Sequence, residues 1–321
     1  MAKKRISDGF AIALAWPQTF CKQPDSWYDP LMRILGFNRN YFYKAGHAAL
    51  VLVEKSTGDC HYFDFGRYHA PFGFGRSRSG LTDHELSMKT KAQIGENGQS
   101  ILNFEDILDE LANRPACHGN GQLHASYCHV QFQLAWQSAT DFQARSPLPY
   151  GPFVAEGTNC SRFVCSVILA GKPPLLAATK LRFFVPFTPT PMSNVYALTH
   201  KRRVYPKQEN SSPCPREKAD KTWLKTTLPP PEKPSALPEH AQWLSGEGAG
   251  SWFVLQLQKK TFHVTRFEAD GKIECEGYFI EKESAVFEPQ LPYRFTHLSH
   301  CHQLSIEQAG RTIVLKRVEA E

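Results

Sequence analysis

No stretch of this 321-residue sequence approaches the ~18 apolar residues that a membrane-spanning helix needs, which argues against a helical membrane protein. There is no C-x-x-C pair and no H-x(3–5)-H following a cysteine pair, so the common structural zinc sites are absent. The G-x-x-x-x-G-K-[ST] phosphate loop is missing as well. A net charge of +6 is too small a surplus for a dedicated nucleic-acid binder. The basic start is followed by Phe10 to Trp16, a run too short for a secretory signal and its cleavage site. The nine cysteines are odd in number and follow no framework spacing. The expectation is therefore a cytoplasmic chain with free thiols and no metal. His124, Cys128 and His129 lie within helical reach of one another but lack an evident fourth ligand.

What is present is a core-forming chain, 41% apolar, long enough for two domains. Phe10 to Trp16 reads as a buried strand stopped by Pro17. Trp27 to Leu35 reads as a short helix, and Asn103 as the cap of a helix over Phe104 to Ala112. Ser126 to Ala144 reads as a further helix and Leu181 to Phe187 as a strand. From His200 to Ser245, prolines cluster with lysines, arginines and serines, the composition of a linker. Ser251 to Val318 then carries short alternating runs with turns at Asp270-Gly271 and Ala309-Gly310. The division is thus 1–200 as a mixed domain, 201–245 as a basic proline-rich linker, and 246–321 as a small all-β domain, a curled sheet or barrel.

The chemistry centres on Gly157-Thr158-Asn159-Cys160. A turn with a candidate N-cap leads into a helix whose inward face is Phe163, Val164, Val167 and Ile168; Gly171 and two prolines end it. Cys160 falls in the first turn, where unpaired N–H groups and the helix dipole favour a thiolate. Cys165, five residues on in the apolar run, reads as an ordinary core cysteine.

A cysteine nucleophile needs a base and a group to orient it. His47 opens a strand, Gly46 to Val53, that is apolar on both faces and so central in its sheet. The strand returns over Cys60 to Gly66. If Thr57-Gly58 is a two-residue turn, His47 shares its face with Tyr62 and Asp64; a three-residue loop selects His61 and Phe63. Asp64 is the preferred third member, because a carboxylate on imidazole fixes its tautomer and stabilises its charge. His61 is the runner-up and Tyr62 the third choice. The glycine–aromatic–arginine stretch 67–80 reads as a loop. Its Tyr68, Phe72, Arg76 and Arg78 are candidate substrate contacts, though a packed surface loop is the commoner use of such a segment.

A histidine opening a buried strand, a polar residue on the next strand and a later Asn-Cys-x-x-Phe at a helix start resemble the circularly permuted papain-like fold. That group includes permuted NlpC-type hydrolases, lecithin–retinol acyltransferase relatives and permuted deubiquitinase-like peptidases. The resemblance spans roughly residues 8 to 190 and implies an α+β domain of helices on an antiparallel sheet. It also implies Cys160 as nucleophile and His47 as base, with a polar third member. The C-terminal part resembles uncharacterised bacterial modules. The expected activity is a thiol hydrolase or acyltransferase working through a Cys160 acyl-enzyme on an amide, isopeptide or ester, without a cofactor. Its expected partner is a peptide, isopeptide or lipid acyl substrate. The alternative is an inactive papain-like binding module.

Overall fold

The computed structural model describes residues 7–23, 26–36, 38–200, 203–205, 221–259, 261–281 and 287–318. Strands in the first part are β1 (Gly9–Trp16), β2 (Cys21–Lys22), β3 (Asn38–Arg39), β4 (Phe42–Tyr43), β5 (His47–Glu54) and β6 (Cys60–Gly66). They continue with β7 (Phe74–Ser79), β8 (Leu123–Val130), β9 (Leu148–Pro149) and β10 (Arg203–Tyr205). The helices are α1 (Asp29–Ile34), α2 (Phe104–Ala112), α3 (Phe132–Arg145), α4 (Cys160–Ala170), α5 (Leu175–Phe183) and α6 (Pro191–Ala197).

Seven strands form an antiparallel sheet in the order β10-β8-β1-β5-β6-β7-β9. The central strands are apolar on both faces because both faces are covered. In β1 the two faces differ in size. Ala11, Ala13 and Ala15 point to the side carrying α3, α4, α5 and α6, where small side chains let helices approach closely. Phe10, Ile12, Leu14 and Trp16 fill the other side, against α2. The fold is α+β, with helices packed on an antiparallel sheet, as expected.

The second sheet comprises β11 (Gln242–Leu244), β12 (Ser251–Gln258), β13 (Thr261–Phe267), β14 (Ile273–Glu281), β15 (Arg294–Phe295), β16 (Gln303–Gln308) and β17 (Arg311–Val318). Its order is β11-β12-β13-β14-β17-β16-β15. The sheet curls until its edges meet. The Gln242 amide donates to Tyr293 O and accepts from Phe295 N, so one side chain satisfies edge groups that strand pairing leaves open.

Four expectations need correction. Leu123–Val130 is a strand rather than the start of a helix, and the helix begins at Phe132, where Asp8 Oδ1 accepts the Phe132 N–H. Leu181 to Phe187 is not a strand: Leu181–Phe183 ends α5. Phe74–Ser79 is a strand within the expected loop. Residues 201–202 and 206–220 of the expected linker lie outside the described residues. The remainder is not free linker, because Arg203–Tyr205 extends the first sheet and Gln242–Leu244 begins the second.

Polar side chains join the two sheets. His69 Nε2 lies 2.7 Å from Ser251 Oγ, and Arg67 pairs with Glu247 at 2.7 Å. Arg266 pairs with Asp83 at 3.1 Å and with Glu85 at 3.0 Å.

Candidate active site

α4 begins where the sequence says it should. Asn159 is extended and its side chain accepts the Arg162 N–H at 2.9 Å, so Cys160 is the first helical residue. The apolar residues of α4 bury it on the sheet along β5 and β6. Asn194 of α6 fixes the same turn by donating to Ser161 O at 2.9 Å.

His47 is the first residue of β5. Gly46 before it has φ +73°, and a Cβ there would meet Trp16 O and Pro17 Cα at 3.1 Å. Only glycine fits this turn without strain. The imidazole stacks on Trp16 at 5.9 Å. On the neighbouring strand Asp64 pairs with Ala49, which puts it on the His47 face. Its Oδ2 lies 3.5 Å from His47 Nε2. Asp64 also accepts Arg78 Nε at 3.0 Å, Arg78 Nη2 at 2.5 Å and the Tyr62 hydroxyl at 3.2 Å.

This arrangement separates charge. Burial opposes ionisation of Asp64, but Arg78 and His47 outweigh it and hold the carboxyl well below its usual range. Burial would also lower His47, yet Asp64 and the Cys160 sulfur raise it from 6.5 to about 9. Cys160 is buried too, and its thiol is nevertheless drawn down by the His47 hydrogen bond and charge, helped by the Ala48 N–H and the Ser161 hydroxyl. Other buried thiols go the opposite way: burial pushes Cys60, Cys117 and Cys128 up to about 12 and Cys165 to about 11. Cys301, in the joint between the sheets, is also drawn down, but by the Cys275 thiol rather than an imidazole. Cys160 and His47 therefore favour a thiolate–imidazolium pair, with Asp64 behind the ring.

The pair opens onto a cleft of about 620 Å³. Its walls include Phe20 to Lys22, Gly66 to Tyr68, His118 to Gly121, Tyr150, and Glu247 and Gly248 from the second sheet's side. Glu247 accepts from Arg67 and from the Gly73 N–H and pairs with Lys22 at 3.3 Å, so it ties the rim together.

Cys160, His47 and Asp64 thus come together, and Tyr68 lines the cleft. His61 does not join them: the register turns it to the opposite face, against Trp136 at 4.7 Å and Phe132. Arg76 and Arg78 are not substrate contacts. Both are buried with their guanidinium groups committed to carboxylates, Arg76 to Asp83 and Arg78 to Asp64. Phe72 is not among the cleft-lining residues; its ring lies under the Lys22 ammonium. Lys22, Arg67 and Glu247 were not foreseen, and no local pattern marks a pairing that spans 180 residues. Among the described residues, no three His, Cys, Asp or Glu side chains are grouped as metal ligands, and no helix is long and apolar enough to cross a membrane.

A family model described as type VI secretion system effector TseH-like matches residues 11–174, just over half of the chain. A second, the DUF6695 C-terminal domain, matches residues 241–318 and so begins with the second sheet. The crystal structure of a type VI secretion system effector, TseH, is similar at 17% identity and a TM-score of 0.41, covering 62% of this chain and 93% of that one. No curated protein matches the sequence.

Proposed function

The chain belongs to the type VI secretion system effector TseH-like family, and from that premise we propose that it is an effector acting as a papain-like thiol hydrolase through Cys160. The order of its parts, the histidine strand before the cysteine helix, supports the permuted version of that fold. The observation that carries the reading is the convergence of Cys160, His47 and Asp64, with the thiol drawn down and the imidazole raised.

The Cys160 thiolate attacks a substrate carbonyl carbon. The developing oxyanion is held by N–H groups at the start of α4, the Cys160 N–H among them. As the tetrahedral centre collapses, the His47 imidazolium gives its proton to the leaving nitrogen, the C–N bond breaks and a thioester remains. Neutral His47 then takes a proton from water, whose oxygen attacks the thioester and restores the thiolate. Asp64 keeps the ring oriented and its charge balanced throughout. A peptide or isopeptide amide is the substrate class we favour. Cell-wall peptide falls within it, since a secretion system supplies the export route such a target requires.

The test is the pH dependence of Cys160 alkylation, resolved from the other cysteines by peptide mass spectrometry, in the parent and in His47→Ala. The expected result is labelling well below neutral pH, abolished by His47→Ala. If Cys160 labels as an ordinary thiol, the hydrolase reading fails and the chain is better sought as a binding module.

A further inference from the structure

One apolar surface has no role in the cleft. α5 buries Ala177 and Leu181 against the core but turns its largest side chains outward. Leu175 is 81% exposed, Phe183 75% and Phe184 74%, and Phe187 in the loop to α6 is fully exposed. A protein exposing such a group of leucines and phenylalanines together marks an interaction site rather than chance.

The charges around it indicate the partner. Lys172 and Arg182 are exposed within the same segment, and Lys180 is half-buried beside them. No carboxylate occurs anywhere from Gly157 to Gln208, a stretch that carries eight lysines and arginines. A protein partner would ordinarily be met with mixed charges along the rim. Protruding aromatic and aliphatic side chains on a segment that carries cations and no carboxylate are complementary to the headgroup and acyl boundary of an anionic bilayer.

We propose that α5 and the loop after it, Leu175 to Phe187, form a docking element for the surface of an anionic membrane. Phe183, Phe184 and Phe187 enter the interface while Lys172 and Arg182 meet the lipid phosphates. The loop leads to α6, whose Pro191 packs against Gly46, the residue before His47. Docking here therefore holds the catalytic end of the first sheet near the membrane. The inference does not depend on the hydrolase reading, because neither the element nor its test involves Cys160.

The experiment is co-sedimentation of the full chain with vesicles of phosphatidylcholine alone and of phosphatidylcholine with about one-third phosphatidylglycerol. Binding to the anionic vesicles should be at least tenfold stronger and should weaken with salt, as expected for cations near a charged surface. Phe184→Ser/Phe187→Ser and Lys172→Glu/Arg182→Glu should each reduce it about tenfold or more. These side chains are exposed, so the fold should persist, and circular dichroism checks it. A control that removes apolar surface elsewhere, Leu31→Ser/Ile34→Ser, should leave binding unchanged. Equal binding to both vesicle types, no binding, or equal loss in the control would overturn the proposal. So would a concentration-dependent dimer abolished by the phenylalanine substitutions, which would make the occupant a second copy.

Discussion

Replacing Asp64 by Asn tests the electrostatics of the proposed triad most directly. The substitution keeps the shape of the side chain and removes its charge. His47 stands at about 9 in place of 6.5, although burial alone would lower it. That net rise corresponds to roughly 3 kcal/mol in favour of the imidazolium, so Asp64 and Cys160 together supply at least that much against burial. If Asp64 provides about half, its loss weakens the thiolate–imidazolium pair by roughly 1.5 kcal/mol, about tenfold in thiolate population near neutral pH. The alkylation profile of Cys160 should therefore move upward by about one pH unit, with rates converging above pH 9, where hydroxide removes the thiol proton unaided. Asp64→Asn also strands the buried Arg78 guanidinium, which costs about 3–5 kcal/mol of stability. The companion variant Asp64→Asn/Arg78→Met removes the stranded charge and keeps the test readable if the single variant unfolds. A folded variant with the parent's alkylation profile would refute the role assigned to Asp64.

Other perturbations follow from the joint and the core. His69 is buried between Arg76 and Ser251, and burial with the nearby Arg76 and Arg266 holds it well below 6.5. A histidine depressed in this way favours folding above its unfolded pKa, so its contribution is lost as pH falls through 6.5. That loss reaches about 2 kcal/mol at pH 5, and urea midpoints at pH 7 and pH 5 should differ less in His69→Gln than in the parent. Glu247→Gln should lower stability by about 2–3 kcal/mol in urea unfolding at neutral pH, because Arg67 and Lys22 lose their shared carboxylate. Leu50→Ala opens a cavity between the sheet and α4 and should cost about 2–5 kcal/mol by the same measurement.

The sequence made the proposed triad legible because it depends on local rules. A helix start, a strand start and the parity of one hairpin place Cys160, His47 and Asp64. The hairpin connection proved longer than a two-residue turn, with Val53 paired to Cys60, but it holds an even number of residues. Even length preserves the face, so Asp64 met His47 and His61 did not. Elements that depend on distant partners were not legible. Leu123–Val130 is a strand because β1 offers it a full ladder of backbone groups from residues more than a hundred positions away. Leu181 to Phe187 reads as a strand because it is apolar, yet its phenylalanines face outward.

The buried pairing of Arg76 and Arg78 shows how the two halves of the molecule depend on each other. Both arginines lie on one face of β7, directly across from Gly66 and Asp64 of β6. The parity rule that placed Asp64 would have placed them too, had Phe74–Ser79 been recognised as a strand. It was not, because its inward positions carry charge where a strand usually carries apolar residues. Those charges are bearable only because each has a partner. Arg78 takes Asp64, Arg76 takes Asp83, and Asp83 is shared with Arg266 of the second sheet, which in turn holds Glu274 at 2.6 Å. A layer of alternating charge thus runs from the carboxylate behind His47 into the C-terminal domain. Removing that domain would leave Asp83 short of one cation and Arg67 without Glu247, both next to strands that build the cleft. The first domain cut after residue 240 should therefore lose the low-pH reactivity of Cys160 even where it keeps its sheet, and alkylation that matches the full chain would show the joint to be dispensable.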